Sequence, residues 1–233
     1  MTDSSSRVAQ NVAEVRGRIA LAAARSGRTA ADVRLVAVSK YVGPEEIRML
    51  VAAGCCDLGE SRPQQLWDRA QTLRELPIRW HMIGHLQRNK VPQTVGLVAL
   101  IHSVDSLRLA AALDQAASAE RRVPILLEVN VARESAKHGF DPAGLEPVFS
   151  DLAAHRNLEI RGLMCMAGLE SGPDEARRQF ASLRELRDRL RPNCPPDVRL
   201  EELSMGMSGD FELAIEEGAT LVRVGSALFE GLE

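Results

Sequence analysis

Eight short apolar runs recur along this chain, and each is followed by a stretch with helical spacing. The runs are 35–40, 57–60, 79–84, 100–104, 125–131, 159–166, 200–204 and 220–224. The clearest of them are rich in Val, Ile and Leu with little polar alternation, the mark of strands buried on both faces. Helical spacing follows at 44–53, through Leu66 and Leu73, after Asn89, and at 106–119, 142–155, 174–190 and 211–217. One more helix precedes the first run. Ser4 to Ser6 offer N-caps, Val8, Val12, Val15 and Ile19 share a face, and Gly27 ends it. Regular strand–helix alternation without a break in composition predicts a single (β/α)8 TIM barrel over 1–233, with the extra N-terminal helix (1–30) packed on it. A doubly wound open sheet is the alternative, but it offers no reason to stop at eight units.

Bulk composition narrows the function classes. A net charge of −3 argues against nucleic-acid and anionic-membrane partners. No apolar stretch approaches a membrane span, and residues 1–6 lack the basic and apolar parts of a signal peptide. Cys55, Cys56, Cys165 and Cys194 have no zinc-ribbon spacing and read as reduced thiols of a cytoplasmic protein.

In barrels the chemistry sits at the C-terminal ends of the strands, with phosphate commonly held after strands seven and eight. The first run ends in Lys40, and Pro44 then suits the first turn of a helix. The seventh runs into Ser204-Met205-Gly206-Met207-Ser208-Gly209-Asp210 and the eighth into Gly225-Ser226. Glycines admit close backbone approach, serines bring hydroxyls, and a helix start offers free N–H groups, so both loops read as phosphate cradles. Barrel closure sets Lys40 beside them. A buried lysine next to a fixed phosphate implies a Schiff base to pyridoxal 5′-phosphate, since desolvation frees the amine. Arg223 shares a strand face with Leu221 and Gly225 and needs a partner at the mouth. A pyridine nitrogen and the Glu202 carboxylate both qualify.

The motifs VAVSK ending at Lys40, GESRPQ from Gly59, HMIGHLQRNK from His81, KHGF from Lys137, LSMGMS from Leu203 and RVGS from Arg223 resemble those of the YggS/PROSC family of pyridoxal-phosphate homeostasis proteins. That family is similar in fold to the N-terminal barrel of alanine racemase. The resemblance spans nearly the whole chain. It implies that Lys40 carries the cofactor, that Ser204, Gly206, Ser208, Gly225 and Ser226 lie near the phosphate, and that Arg223 faces the ring nitrogen. Two positions depart from the pattern. Ser61 stands where the family usually has Asn, and Gly209 where it usually has an acidic residue; Asp210 can still cap the following helix.

Ser61, His85 and Met207 complete the expected cofactor contacts. His81 and His85 share a face if the third strand runs to Gly84, but no third ligand is evident and no metal is expected. Two function classes remain. One is a non-catalytic binder that buffers or delivers pyridoxal phosphate, with apo-enzymes as acceptors. The other is a racemase-like enzyme. Racemisation needs acid/base groups on both faces of the cofactor ring. Alanine racemases bring a tyrosine from a second domain, whereas the one tyrosine here, Tyr41, is expected on the opposite side of the strand from Lys40. That favours the binder, with no catalytic residue. Lys137, in the loop after strand five, and Lys90, after strand three, are candidate relay amines for release.

Overall fold

The computed structural model describes residues 3–117, 122–132, 138–168, 170–195 and 198–232. Helix α1 spans Asp3–Arg25, and the strands are β1 (Arg34–Val38), β2 (Asp57–Glu60), β3 (Arg79–Met82), β4 (Val98–Val104), β5 (Val123–Glu128), β6 (Leu158–Met164), β7 (Glu202–Ser204) and β8 (Leu221–Val224). All pair in parallel, in sequence order, and β1 pairs with β8 to close the barrel. The intervening helices are α2 (Pro44–Ala52), α3 (Pro63–Thr72), α4 (Val91–Thr94), α5 (Leu107–Ala116), α6 (Leu145–Ala153), α7 (Pro173–Leu190) and α8 (Phe211–Glu216). Ser4 to Ser6, expected as N-caps, lie inside α1. Ser106 caps α5 by accepting from Leu109 N at 3.3 Å, and Gly54 leaves α2 at φ +84°.

Alternation along the strands divides the core in two. Val36, Leu100, Leu126, Met164 and Leu221 make an inner cluster, and the larger core lies between barrel and helices. Helix α1 buries Val8, Val12, Val15 and Ile19 and packs against α2 and α8. Asn11 fastens it by donating to the carbonyls of Leu228 and Glu230, 3.2 and 2.9 Å away.

Several expected elements come out shorter, and two of the changes bear on the site. The helix after Asn89 is a 3-10 turn, Arg88–Lys90, running into the single turn of α4. Strand β3 stops at Met82 instead of reaching Gly84. A Cβ at Gly84 would lie 2.3 Å from the Ser61 carbonyl oxygen, so the chain there presses on the β2 loop instead of continuing the ladder. His81 and His85 therefore lose their common strand face.

Candidate cofactor site

Lys40 stands two residues past the end of β1, on a turn held from below. Arg69 of α3 donates to the carbonyls of Ser39 (2.8 Å) and Val42, and pairs with the buried Glu60 carboxylate. Ser39 Oγ donates to the same carboxylate at 2.6 Å. Burial pushes the Glu60 carboxyl up, against the pull of the Ser39 hydrogen bond and the Arg69 and Lys40 charges. The turn is thus a clamped structure, and Lys40 Nζ lies 4.8 Å from the centre of the Tyr41 ring. That corrects the expected separation of these two residues. The strand ends at Val38, its alternation does not reach positions 40 and 41, and Tyr41 is 84% exposed at the mouth.

A cavity of about 620 Å³ opens above the barrel. Lys40, Ser61, His85, Met207, Ser208, Arg223, Gly225 and Ser226 all line it. The two loops expected to cradle phosphate are joined, because Gly225 N–H donates to Ser208 Oγ at 3.1 Å. The N–H groups of Ser208, Gly209, Ser226 and Ala227 take no partner among the described residues. Nothing lies within 4 Å of a Cβ built at Gly209, so that N–H is approachable. These open donors beside a lysine fit a phosphate-bearing aldehyde such as pyridoxal phosphate. Asp210 precedes α8 without capping it; its carboxylate accepts from Met207 N–H instead, 2.5 Å away, and shapes the loop.

Two expected contacts lie behind the wall. Ser204 is fully buried and absent from the lining, as is Gly206. At Gly206, φ is +91° and a Cβ would meet Ala214 Cβ at 2.6 Å, so this glycine is required for packing on α8. Lys90 closes the 3-10 turn after β3 and does not line the cavity. Lys137 lies outside the described residues. Arg223 is buried in the cavity wall, but Glu202 is not its partner. It donates to Ser204 O (2.8 Å), Ser204 Oγ (2.6 Å) and Cys165 O (2.9 Å), while Glu202 faces Arg34 at 3.7 Å.

Sequence reasoning missed Glu128, which lines the cavity at the end of β5. The signal was there: a lone carboxylate inside the apolar run 125–131. Burial and the neighbouring Asp105 charge push its carboxyl up, with His138 and Arg223 opposing. His85 and His138 also face each other at the mouth over Asp105, with Nδ1 to Oδ2 distances of 3.3 and 3.6 Å. Two imidazoles and a carboxylate are metal-ligand types, and the rings are stacked, 4.4 Å between centres and 16° between planes. The two imidazoles share one carboxylate oxygen, and the ligand atoms of the three groups lie within 4.8 Å of one another.

Residues 9–232 match the alanine racemase N-terminal domain family. The pyridoxal phosphate homeostasis protein of Aquifex aeolicus (strain VF5) is 41% identical over 221 residues, covering 94% of this chain and 96% of its own. The chain belongs to the pyridoxal phosphate homeostasis protein family. A second member, from Pseudomonas aeruginosa, is 39% identical over 225 residues, 96% of this chain and 95% of its own. Within the same family fold, the structure of PipY from Synechococcus elongatus PCC7942 with PLP bound superposes with a TM-score of 0.84 at 37% identity, over 95% of this chain and 99% of that one. Alanine racemase from Corynebacterium glutamicum shares the barrel at 18% identity and a TM-score of 0.68, and this chain spans 63% of it.

Proposed function

We propose that this protein binds pyridoxal 5′-phosphate in the 620 Å³ cavity, holds it covalently on Lys40, and buffers or delivers it instead of turning over substrates. The observation that carries the reading is a clamped lysine sharing one cavity with two joined loops whose backbone donors are open. The homeostasis relatives and PipY, solved with PLP, support it. Pyridoxal phosphate supplies an aldehyde that condenses reversibly with an amine. Ser208, Gly209, Gly225 and Ser226 would hold the phosphate, Arg223 would face the ring nitrogen, and Ser61, His85 and Met207 would border the ring. Ser204 and Gly206 support this set from behind.

The carrier reading rests on the tyrosine: Tyr41 sits beside Lys40 at the mouth, so it does not supply the opposite face that racemisation needs. Among the described residues no helix is long and apolar enough to cross a membrane, and all four cysteines are free. We read the working compartment as the cytoplasm and the acceptors as apo-enzymes that use this cofactor. Lys137, one residue before cavity-lining His138, is the relay amine of this reading.

The loaded protein should show a visible absorbance band that borohydride reduction removes, with the reduced adduct mapping to Lys40. An adduct confined to another lysine would sink the attachment. Sustained amino-acid turnover at ordinary enzymatic rates, abolished by Lys40→Ala, would replace the carrier by an enzyme. Stopped-flow transfer to an apo-enzyme tests the relay: Lys137→Ala should slow it and leave the visible band intact, and equal rates would remove Lys137.

A further inference from the structure

Behind the cavity wall the barrel interior is polar where an apolar filling is the rule. Asp57 Oδ1 lies 2.9 Å from His81 Nε2, His81 Nδ1 lies 2.9 Å from His102 Nε2, and His102 Nδ1 lies 2.8 Å from Ser204 Oγ. Ser204 Oγ is the atom that accepts from Arg223. These five residues come from β2, β3, β4, β7 and β8, and each is at most 7% exposed. The run begins at the first residue of β2, at the opposite end of the barrel from the cavity, and finishes at the cavity wall. Unsatisfied polar groups at such depth are costly, so the donors and acceptors must match along its whole length.

Only a few proton arrangements do match. Arginine can only donate, and an ionised carboxylate can only accept. Burial raises the Asp57 carboxyl, but the hydrogen bonds from His81 and Arg79 and the Arg79 charge outweigh it and hold the group below its ordinary range. With Asp57 ionised, His81 presents Nε2–H to it. A neutral His81 then has a bare Nδ1, which accepts from His102 Nε2–H. His102 in turn has a bare Nδ1 and accepts the Ser204 hydroxyl proton. The lone pairs of Ser204 are left for Arg223. Every bond points the same way, from Arg223 to Asp57.

We propose that Asp57, His81, His102 and Ser204 form this one-way chain and act as positioning residues through Arg223. The chain commits the Ser204 proton away from the cavity and connects the buried Arg223 charge to the Asp57 carboxylate. Arg223 is thereby held in a fixed orientation in the wall where, on the function proposed above, the cofactor's ring nitrogen lies. Burial, with the Arg223 charge adding to it, holds His102 well below its ordinary range, which agrees with a neutral ring in the middle of the run.

The test has two readouts, one of which needs no cofactor. Nitrogen-15 NMR of the histidine rings in the full chain, free of cofactor, should find His81 and His102 each singly protonated, both at Nε2. A doubly protonated His81, or a proton on His102 Nδ1, would overturn the direction of the chain. The second readout is equilibrium binding of pyridoxal 5′-phosphate to two pairs of variants. Glutamine offers one acceptor and one donor as neutral histidine does, so His102→Gln should bind within about threefold of wild type, whereas His102→Leu should lose about tenfold or more. If the leucine variant does not fold, Ser204→Ala against Ser204→Thr asks the same of the next link, with threonine keeping the hydroxyl. Equal affinity across a pair would overturn the positioning role. A wild type that shows the expected ring protons but binds no pyridoxal phosphate would overturn the function proposed above and leave the chain's direction standing.

Discussion

Arg69 is the residue on which the Lys40 turn depends most. Its guanidinium satisfies two turn carbonyls and faces a carboxylate with no exposed surface. Removing one partner of a buried charged pair leaves the other uncompensated, at a cost of about 3–5 kcal/mol. Arg69→Met should therefore lower stability by about that amount in urea unfolding. Glu60→Gln should cost distinctly less, because the amide still accepts from Arg69 and Ser39 while the desolvation of a charge disappears. A larger loss for Glu60→Gln would show that the carboxylate, and not the arginine, holds the turn. Arg69 did not stand out in the sequence, and Glu60 did so only as part of the GESRPQ motif. Each is an ordinary charged residue until β2 and α3 bring both beneath the β1 turn.

Among the elements, the loops after β7 and β8 separate packing from binding. Gly206→Ala meets a positive φ and a contact of 2.6 Å, so it should destabilise by about 2 kcal/mol or more in the same unfolding experiment. Gly209→Ala has open space and should leave stability within about 0.5 kcal/mol while weakening pyridoxal phosphate binding, since the new methyl group crowds an open N–H. Unchanged affinity would take Gly209 out of the cradle. The phosphate itself is expected to be the main anchor. Pyridoxal lacking it should bind at least about a hundredfold more weakly, given several charge-assisted hydrogen bonds. Equal affinities in a spectroscopic titration would mean that neither loop holds phosphate. The identity of these loops was legible because glycine and serine cluster at two strand ends. That Ser208 ties one loop to the other, and that Gly206 serves the helix behind, was not legible, because both depend on which atoms meet across the closed barrel.

For the whole molecule, the polar interior should give stability a pH dependence. Folding holds His102 neutral, whereas in the unfolded chain it protonates near its ordinary value of 6.5. Below that pH the unfolded state binds the extra proton, so this contribution to stability is complete above 6.5 and declines as pH falls. The slope from one such group reaches about 1.4 kcal/mol per pH unit at its limit. Wild type should thus lose about 1 kcal/mol more than His102→Gln between pH 6.5 and 5.5, where the slope is still building to that limit, in urea titrations at several pH values. Parallel profiles would show that His102 takes up its proton inside the barrel. Asp57, held low, adds its own loss only at more acid pH, below its ordinary value of 3.8.

By itself the sequence determined the order of elements, the barrel class and the place of Lys40, Ser208, Arg223, Gly225 and Ser226. Those follow from local rules: apolar runs make strands, their C-terminal ends meet at one face, and glycine and serine mark where a backbone can approach an anion. Only the tertiary structure decided which groups satisfy one another. Glu202 was one of two candidate partners for Arg223 in sequence, yet closure presents Arg223 with carbonyls and a hydroxyl and gives Glu202 to Arg34. His81 and His85 looked like a pair until β3 ended at Met82 and sent one into the interior chain and the other to the mouth. The physical reason is common to both. Strand and helix formation is encoded over a few neighbouring residues, whereas the pairing of buried polar groups is set by register and closure among strands far apart in the chain.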